Sequence, residues 1–293
     1  MQVAVLITVF NRIEKTILCL TSLFGAPIAE LDMTFTLFIT DDGSTDGTAT
    51  RIKAEFPQAN IEILSGNGQL FWNGGMNNSW RAAIAKGGYD LYLWLNNDTV
   101  VFPNLWREIK AADEYAKSQF GKGGIYVGST LDTDGNGLSY GGFNYLNKWT
   151  LKDEFIYPDG TFQNCEAAHG NVTCVSHDVV MAEGVFCDSY IHSGGDHDYS
   201  YRAHKHGFPV FVLREFVGQC ENDHYVGEEI TIGKLALRDR LKYLHSPLGF
   251  NLHNTLLFQR RCFPHRYLPV LFAGYARILF PKLYYKIYNL IRR

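Results

Sequence analysis

The first hundred residues alternate short runs of β-branched and aromatic residues with helical patterns, and that alternation admits little besides βαβ units around a mainly parallel sheet. Strands are predicted over residues 3–8, 35–40, 61–64 and 91–95. Helices fill the intervals at 12–24, at 46–56 with Ser44 or Thr45 as N-cap, and at 77–86 before the Gly87-Gly88 stop. A further helix starts near Pro103 and runs to about Ser118. Each strand runs out into a polar loop: Phe10-Asn11-Arg12, Asp41-Asp42-Gly43, Ser65-Gly66-Asn67-Gly68 and Asn96-Asn97-Asp98. In open α/β sheets that edge is where ligands bind.

Beyond about residue 120, glycines, aromatics and the turn Tyr157-Pro158-Asp159-Gly160 predict hairpins and long loops instead of further βαβ repeats. A helix is expected over 196–206, closed by Gly207, and a strand over 209–213. This half would cover the sheet edge and shape an acceptor site within one continuous domain. Hydrophobic residues make up 46% and charged residues 19%, which excludes a disordered chain. The most apolar stretches, 16–29 and 267–276, fall short of the roughly 18 residues a spanning helix needs.

The net charge of −3 is unevenly spread. From Lys234 onward twelve Lys and Arg face one acid, Asp239, so the tail carries +11 and the body −14. Six irregularly spaced cysteines and a start without a basic n-region point to a reducing cytoplasm. The sequons at Asn77, Asn97 and Asn171 are then read as chance.

Carboxylates just past a strand, as in Asp41-Asp42-Gly43-Ser44-Thr45-Asp46-Gly47, can accept hydrogen bonds from a base or ribose, and the glycines let backbone turn closely around a ligand. An Asp-rich capped turn is the plain alternative. Asn96-Asn97-Asp98 ends an apolar strand, where a carboxylate could hold Mg²⁺ or Mn²⁺ against a diphosphate; a polar strand end would look the same.

Together these motifs, with Thr8-Val9-Phe10-Asn11-Arg12, Gly66-Asn67-Gly68, Gly74-Gly75-Met76-Asn77 and Asp196-His197-Asp198-Tyr199-Ser200-Tyr201-Arg202, resemble the family-2 glycosyltransferases, and among them the bacterial rhamnosyltransferase-like enzymes. The resemblance spans roughly the first 215 residues. It implies an α/β fold of GT-A type, a nucleotide-sugar donor such as a UDP- or dTDP-sugar, a divalent cation (Mg or Mn) and inversion at the anomeric carbon. It implies Thr8, Phe10, Asn11, Asp41, Gly68, Asn77 and Asn97 around the nucleotide, Asp98 on the metal and Asp196 as catalytic base. His224 stands where some relatives place a metal-binding histidine, against a plain surface-loop histidine.

Three positions depart from the family pattern: Asn96 replaces the first acid of the metal motif, Gly195 the acidic neighbour of Asp196, and Met76 a common Arg. The missing acids keep open a catalytically silent sugar-binding subunit. A sugar nucleotidyltransferase is the alternative enzyme, but it should carry a Gly-rich basic loop after the first strand, and Thr8-Val9-Phe10-Asn11 is no such loop. Arg202 is spaced for an i, i+4 pair with Asp198. Cys165, His169, Cys174 and His177 match no standard zinc-finger spacing, which favours ordinary buried cysteines.

The expected organisation is a catalytic domain at 1–232, with a nucleotide-sugar half at 1–120 and an acceptor half at 121–232, followed by a basic aromatic helical extension at 233–293. Pro281 should split that extension into two short amphipathic helices suited to an anionic bilayer surface, unless they simply pack on the domain. The acceptor is expected to be a glycan or polyprenyl-linked hydroxyl in surface polysaccharide synthesis, on the inner face of the membrane; no nucleic-acid partner is expected.

Overall fold

The structure, a computed structural model, describes residues 1–135, 137–222, 232 and 235–292. Four parallel strands occur where the alternation predicts them: β1 (Gln2–Val9), β2 (Thr34–Asp41), β3 (Ile61–Ser65) and β4 (Leu91–Leu95). β1 pairs in parallel with β2 on one side and β4 on the other, so strand order reverses at β1 and opens a crevice above its C-terminal end. Beyond β4 the sheet turns mixed: β12 (Val172–Ser176) runs antiparallel between β4 and β6 (Ile125–Leu131), and β13 (Val210–Gln219) lies parallel to β6. Short strands β5 (Val100–Val101) and β10 (Gln163–Asn164) pair with β13 and β7 (Leu138–Tyr140) with β6, and a small second sheet joins β8 (Gly142–Asn147), β9 (Lys152–Phe155) and β11 (Ala167–Ala168).

Strand periodicity divides the core between the sheet's two faces. Val3, Val5 and Ile7 of β1 and Leu91 and Leu93 of β4 face helices α1 (Ile13–Gly25) and α4 (Leu105–Phe120). Ala4, Leu6, Tyr92 and Trp94 face Met76 and Trp80 of α3 (Phe71–Lys86) and Tyr199 of α6 (Gly195–Lys205). Trp80, Trp94, Phe186 and Tyr199 form a buried ring cluster, with centroids 4.6 Å apart for Trp94–Phe186 and 5.4 Å for Trp80–Trp94. Cys174 and Cys165 belong to the cores on opposite faces, so the zinc arrangement is excluded for them and both are ordinary buried thiols.

Two helix starts differ from expectation, both for tertiary reasons. Helix α2 (Thr48–Glu55) follows Gly47 in the left-handed region, and neither Ser44 nor Thr45 caps it. The Asp46 carboxylate accepts from the Thr48 N–H and hydroxyl instead, and from the Ile13 N–H, stitching two loops together. Helix α3 begins at Phe71, six residues before the expected Asn77, because its pair of glycines serves packing and not a loop. A Cβ on Gly75 would lie 2.4 Å from Thr8 Cγ2, so only glycine lets α3 sit this close to β1. Met76, where the family often has Arg, is fully buried beneath the sheet.

The remaining α-helices among the described residues include α5 (His177–Glu183), α7 (Leu237–His245), α8 (Leu252–Cys262), α9 (Tyr267–Leu279) and α10 (Pro281–Arg292). Pro281 opens α10 at a first-turn position, where its missing N–H costs nothing, so the tail is divided as predicted. Phe263, just past α8, packs with Phe143, Ala167 and Tyr201 of the body. Among the described residues no helix is long and apolar enough to cross a membrane.

Candidate active site

The loop after β1 and the loop after β2 are one hydrogen-bonded unit. Asn11, at a φ of 49°, donates its backbone N–H to Ser44 Oγ at 3.0 Å and accepts the Thr45 N–H on Oδ1 at 2.8 Å. Asp41 Oδ1 accepts the Ser44 N–H, three residues on, at 2.8 Å and so closes the loop on itself. Asp42 points the other way: Oδ1 accepts the Gly68 N–H at 2.8 Å, and Oδ2 accepts those of Leu70 at 2.9 Å and Phe71 at 3.0 Å. It thereby caps α3 from another loop and holds Phe71 at a φ of 53°, a conformation an aromatic residue adopts only under constraint.

After β4, Asn96 Oδ1 accepts the Trp72 indole N–H at 2.7 Å, and buried Asn97 donates to Thr16 Oγ1 at 2.9 Å. Asp98 Oδ2 accepts from the Arg12 guanidinium at 2.7 Å, and Oδ1 lies 3.7 Å from Cys220 Sγ. Burial pushes the Cys220 thiol up to about 12, so the neutral thiol faces Asp98.

These loops enclose a cavity of about 500 Å³ at the sheet's crevice. Of the residues that the family resemblance names, Thr8, Phe10, Gly68, Asn97 and Asp98 line it. Asn11, Asp41 and Asn77 do not. Asn11 and Asp41 are committed to the turn, and Asn77 donates to Phe186 O and Asp188 Oδ1, both at 3.0 Å, on the far side of α3. Asp42 takes the lining position expected of Asp41. His224 lies outside the described residues.

A second cavity of about 270 Å³ holds Asp196, His197, His169 and Gly170. It shares Trp72, Asn96, Tyr140, Asn171 and His192 with the first, so the two are lobes of one cleft. Asp196 Oδ2 accepts the Gly170 N–H at 2.8 Å and Oδ1 that of His197 at 2.9 Å. A Cβ on Gly170 would meet the Trp72 ring at 2.6 Å, so glycine there seats both the indole and the carboxylate. Burial holds the His192 imidazole below its usual range, leaving it neutral at pH 7 between the lobes. Trp72, Tyr140 and His192 escape sequence reasoning because their own segments carry no motif.

The absent acid before Asp196 has a packing reason. A Cβ on Gly195 would lie 2.0 Å from Asn73 Oδ1, and Asn73 is itself fixed by bonds to Cys187 O and Tyr190 O at 3.2 and 3.0 Å. Asn73 thus fills the space an acidic side chain would need. Gly195→Glu should therefore destabilise the fold by about 1–3 kcal/mol through overpacking and lower activity; a melt unchanged from the parent, or a gain in turnover, would refute this account.

The tail braces the same helix. Asn254 donates to Ser193 O at 2.9 Å, and Arg261 Nε donates to Asp198 Oδ1 at 2.8 Å, while Arg202 reaches Asp198 Oδ2 at 3.2 Å in the i, i+4 pair. Asp198 is buried and serves structure, two residues from Asp196.

Asp98 is a hard oxygen donor on the cavity wall, yet among the described residues no group of three His, Cys, Asp or Glu could hold a metal ion. The residues present fit a divalent cation only as a shared site, with diphosphate oxygens and water completing the shell. Arg12 is half-exposed, so such a weak ion pair would yield Asp98 readily.

The sequence model of glycosyl transferase family 2 matches residues 4–167, more than half of the chain. No curated protein matches the sequence. Among solved structures, TarS residues 1–349 of S. aureus in complex with UDP-GlcNAc is similar at 14% identity and a TM-score of 0.56, over 91% of this chain and 73% of that one. The mannosyltransferase PcManGT from Pyrobaculum calidifontis, in complex with GDP-Man and Mn²⁺, is similar at 13% identity and a TM-score of 0.54, over 94% and 74%. At such identities the likeness bears on the fold, which is that of the GT-A glycosyltransferases. With the matched segment running from β1 through the Asp42 and Asp98 loops, the chain belongs to glycosyl transferase family 2.

Proposed function

We propose that the protein is an inverting glycosyltransferase that moves a sugar from a UDP- or dTDP-sugar to a hydroxyl of a glycan or lipid-linked acceptor, in the cytoplasmic steps of surface polysaccharide synthesis. The observation that carries this is the two-lobed cleft, with Asp98 on the wall of one lobe and Asp196 on the other. The larger lobe would take the nucleotide diphosphate, with Phe10 at its mouth and the Gly68 backbone along its wall. The smaller lobe would take the acceptor. Asp196 would accept the proton of the acceptor hydroxyl as that oxygen bonds to the anomeric carbon and the bond to the diphosphate breaks, inverting the centre. Asp98 would hold a divalent cation, Mg²⁺ or Mn²⁺, which when bound neutralises charge on the departing diphosphate. Residues 1–232 would form the catalytic domain, 1–120 for the donor and 121–232 for the acceptor, with 233–293 as extension.

Thermal shift with nucleoside diphosphates and Mn²⁺ tests the donor lobe, since a ligand at 100 times its Kd stabilises by about 2.7 kcal/mol. No shift with any of UDP, dTDP or GDP would sink the reading. Asp98→Ala should weaken metal-dependent donor binding by about tenfold or more, because it removes the one carboxylate at the strand end. The Arg12–Asp98 pair favours a second reading, in which the guanidinium serves the leaving group without metal. Under that reading activity survives EDTA and Asp98→Ala but falls in Arg12→Gln.

A further inference from the structure

We infer that α9 and α10 form a docking face for an anionic lipid surface. Helix α9 is apolar on two sides. Its inner side places Gly274 and Ile278 against Leu252, and a Cβ on Gly274 would already touch that side chain at 2.8 Å. Its outer side presents Leu268, Phe272, Tyr275 and Leu279, spaced i, i+4, i+7, i+11 and all exposed, with Phe272 at 68%. A second exposed apolar stripe, Leu283, Ile287 and Leu290 at i, i+4 and i+7, runs along α10, with exposed Phe280 at the junction of the two helices. Core packing accounts for the inner side alone. A helix with a second apolar side of this length lies between its protein and another apolar phase.

Charge selects the occupant. Lys282 and Lys286 flank the α10 stripe and are exposed, and the segment from Lys234 to the end carries a net +11. Helices α9 and α10 contain no acid and carry the exposed Lys282 and Lys286, so a second copy stacked on this face would set like charge against like, whereas an anionic bilayer complements it. Neither helix is long enough to span, so the face would lie in the interface plane. Helix α8 ties the same tail to Ser193 and Asp198 beside Asp196, which would hold the acceptor lobe in a fixed position relative to the surface. The inference rests on the transferase reading for its purpose only.

The test is co-sedimentation of the full chain with phosphatidylcholine vesicles, with and without phosphatidylglycerol. The parent should pellet with the anionic vesicles and be released by salt. Phe272→Ser/Leu279→Ser should abolish pelleting, and Lys282→Gln/Lys286→Gln should weaken it roughly fivefold for each lysine. Both pairs are exposed, and unchanged melting curves would show that the fold is intact. Equal pelleting of parent and variants, salt-independent binding to pure phosphatidylcholine, or a dimer in solution that the serine pair makes monomeric would each overturn the proposal. Because the readout is binding, loss of transferase activity with intact pelleting would count against the enzyme reading and leave the docking face standing.

Discussion

Asp196→Asn should abolish sugar transfer while leaving nucleotide binding at the parent level. The amide keeps the shape of the carboxylate but cannot take the acceptor's proton, and removal of a positioned general base costs on the order of 10²–10⁴ in rate. Backbone geometry sharpens the expectation. The carboxylate is held by the Gly170 and His197 N–H groups at 2.8 and 2.9 Å, so it is aimed before any acceptor arrives, and positioning contributes its activation. The asparagine can still accept from one of those amides, so the fold should survive. A variant with transfer within about tenfold of the parent, roughly 1.4 kcal/mol of barrier, would remove Asp196 from the role of base. If nucleoside diphosphate binding fell as well, the two lobes would not be separable as drawn.

Asp42→Ala should do more damage than Asp41→Ala, both to stability and to donor binding. Asp42 is 4% exposed and accepts three backbone N–H groups, those of Gly68, Leu70 and Phe71. Removing it orphans the first turn of α3 and frees Phe71 from its left-handed conformation. Unpaired buried donors cost about 1–3 kcal/mol each, partly recovered by relaxation, so a loss of about 2–5 kcal/mol is expected. Asp41 closes one turn through Ser44, and its loss should cost about 1 kcal/mol or less. Asp42→Asn, which keeps one acceptor oxygen, should fall between. Urea unfolding of the three variants checks the order; Asp41→Ala as severe as Asp42→Ala would show that the pair is wrongly apportioned.

That pair also marks how far the sequence reaches. Asp41 ends β2 and Asp42 follows it, so strand alternation sends their side chains in opposite directions, but only the position of the Gly68 loop decides which carboxylate turns towards the cavity. The strands themselves were legible because their period is local: Leu91–Leu95 alternates between two cores, and the residues alone carry that alternation. The polar loops at the strand ends were legible from the residues themselves, and the family resemblance added Thr8, Phe10, Gly68, Asn97 and Asp98, all of which line the cavity. Asn77 belongs to the same motif, but the early start of α3 turns it towards Phe186, and no local signal marks a helix capped from another loop.

The sequence by itself determined the alternating α/β order, the crevice at the strand ends, the division of the tail at Pro281 and its charge. These follow from side-chain period, backbone chemistry and counting, which act over a few neighbouring residues. The tertiary structure alone decided that Trp72, Tyr140 and His192 join two lobes into one cleft, that Asn73 occupies the space of an acid beside Asp196, and that Arg261 reaches Asp198 from the tail. Each of those depends on contacts between residues dozens of positions apart, and close packing of distant segments leaves no periodic trace in the chain that forms it.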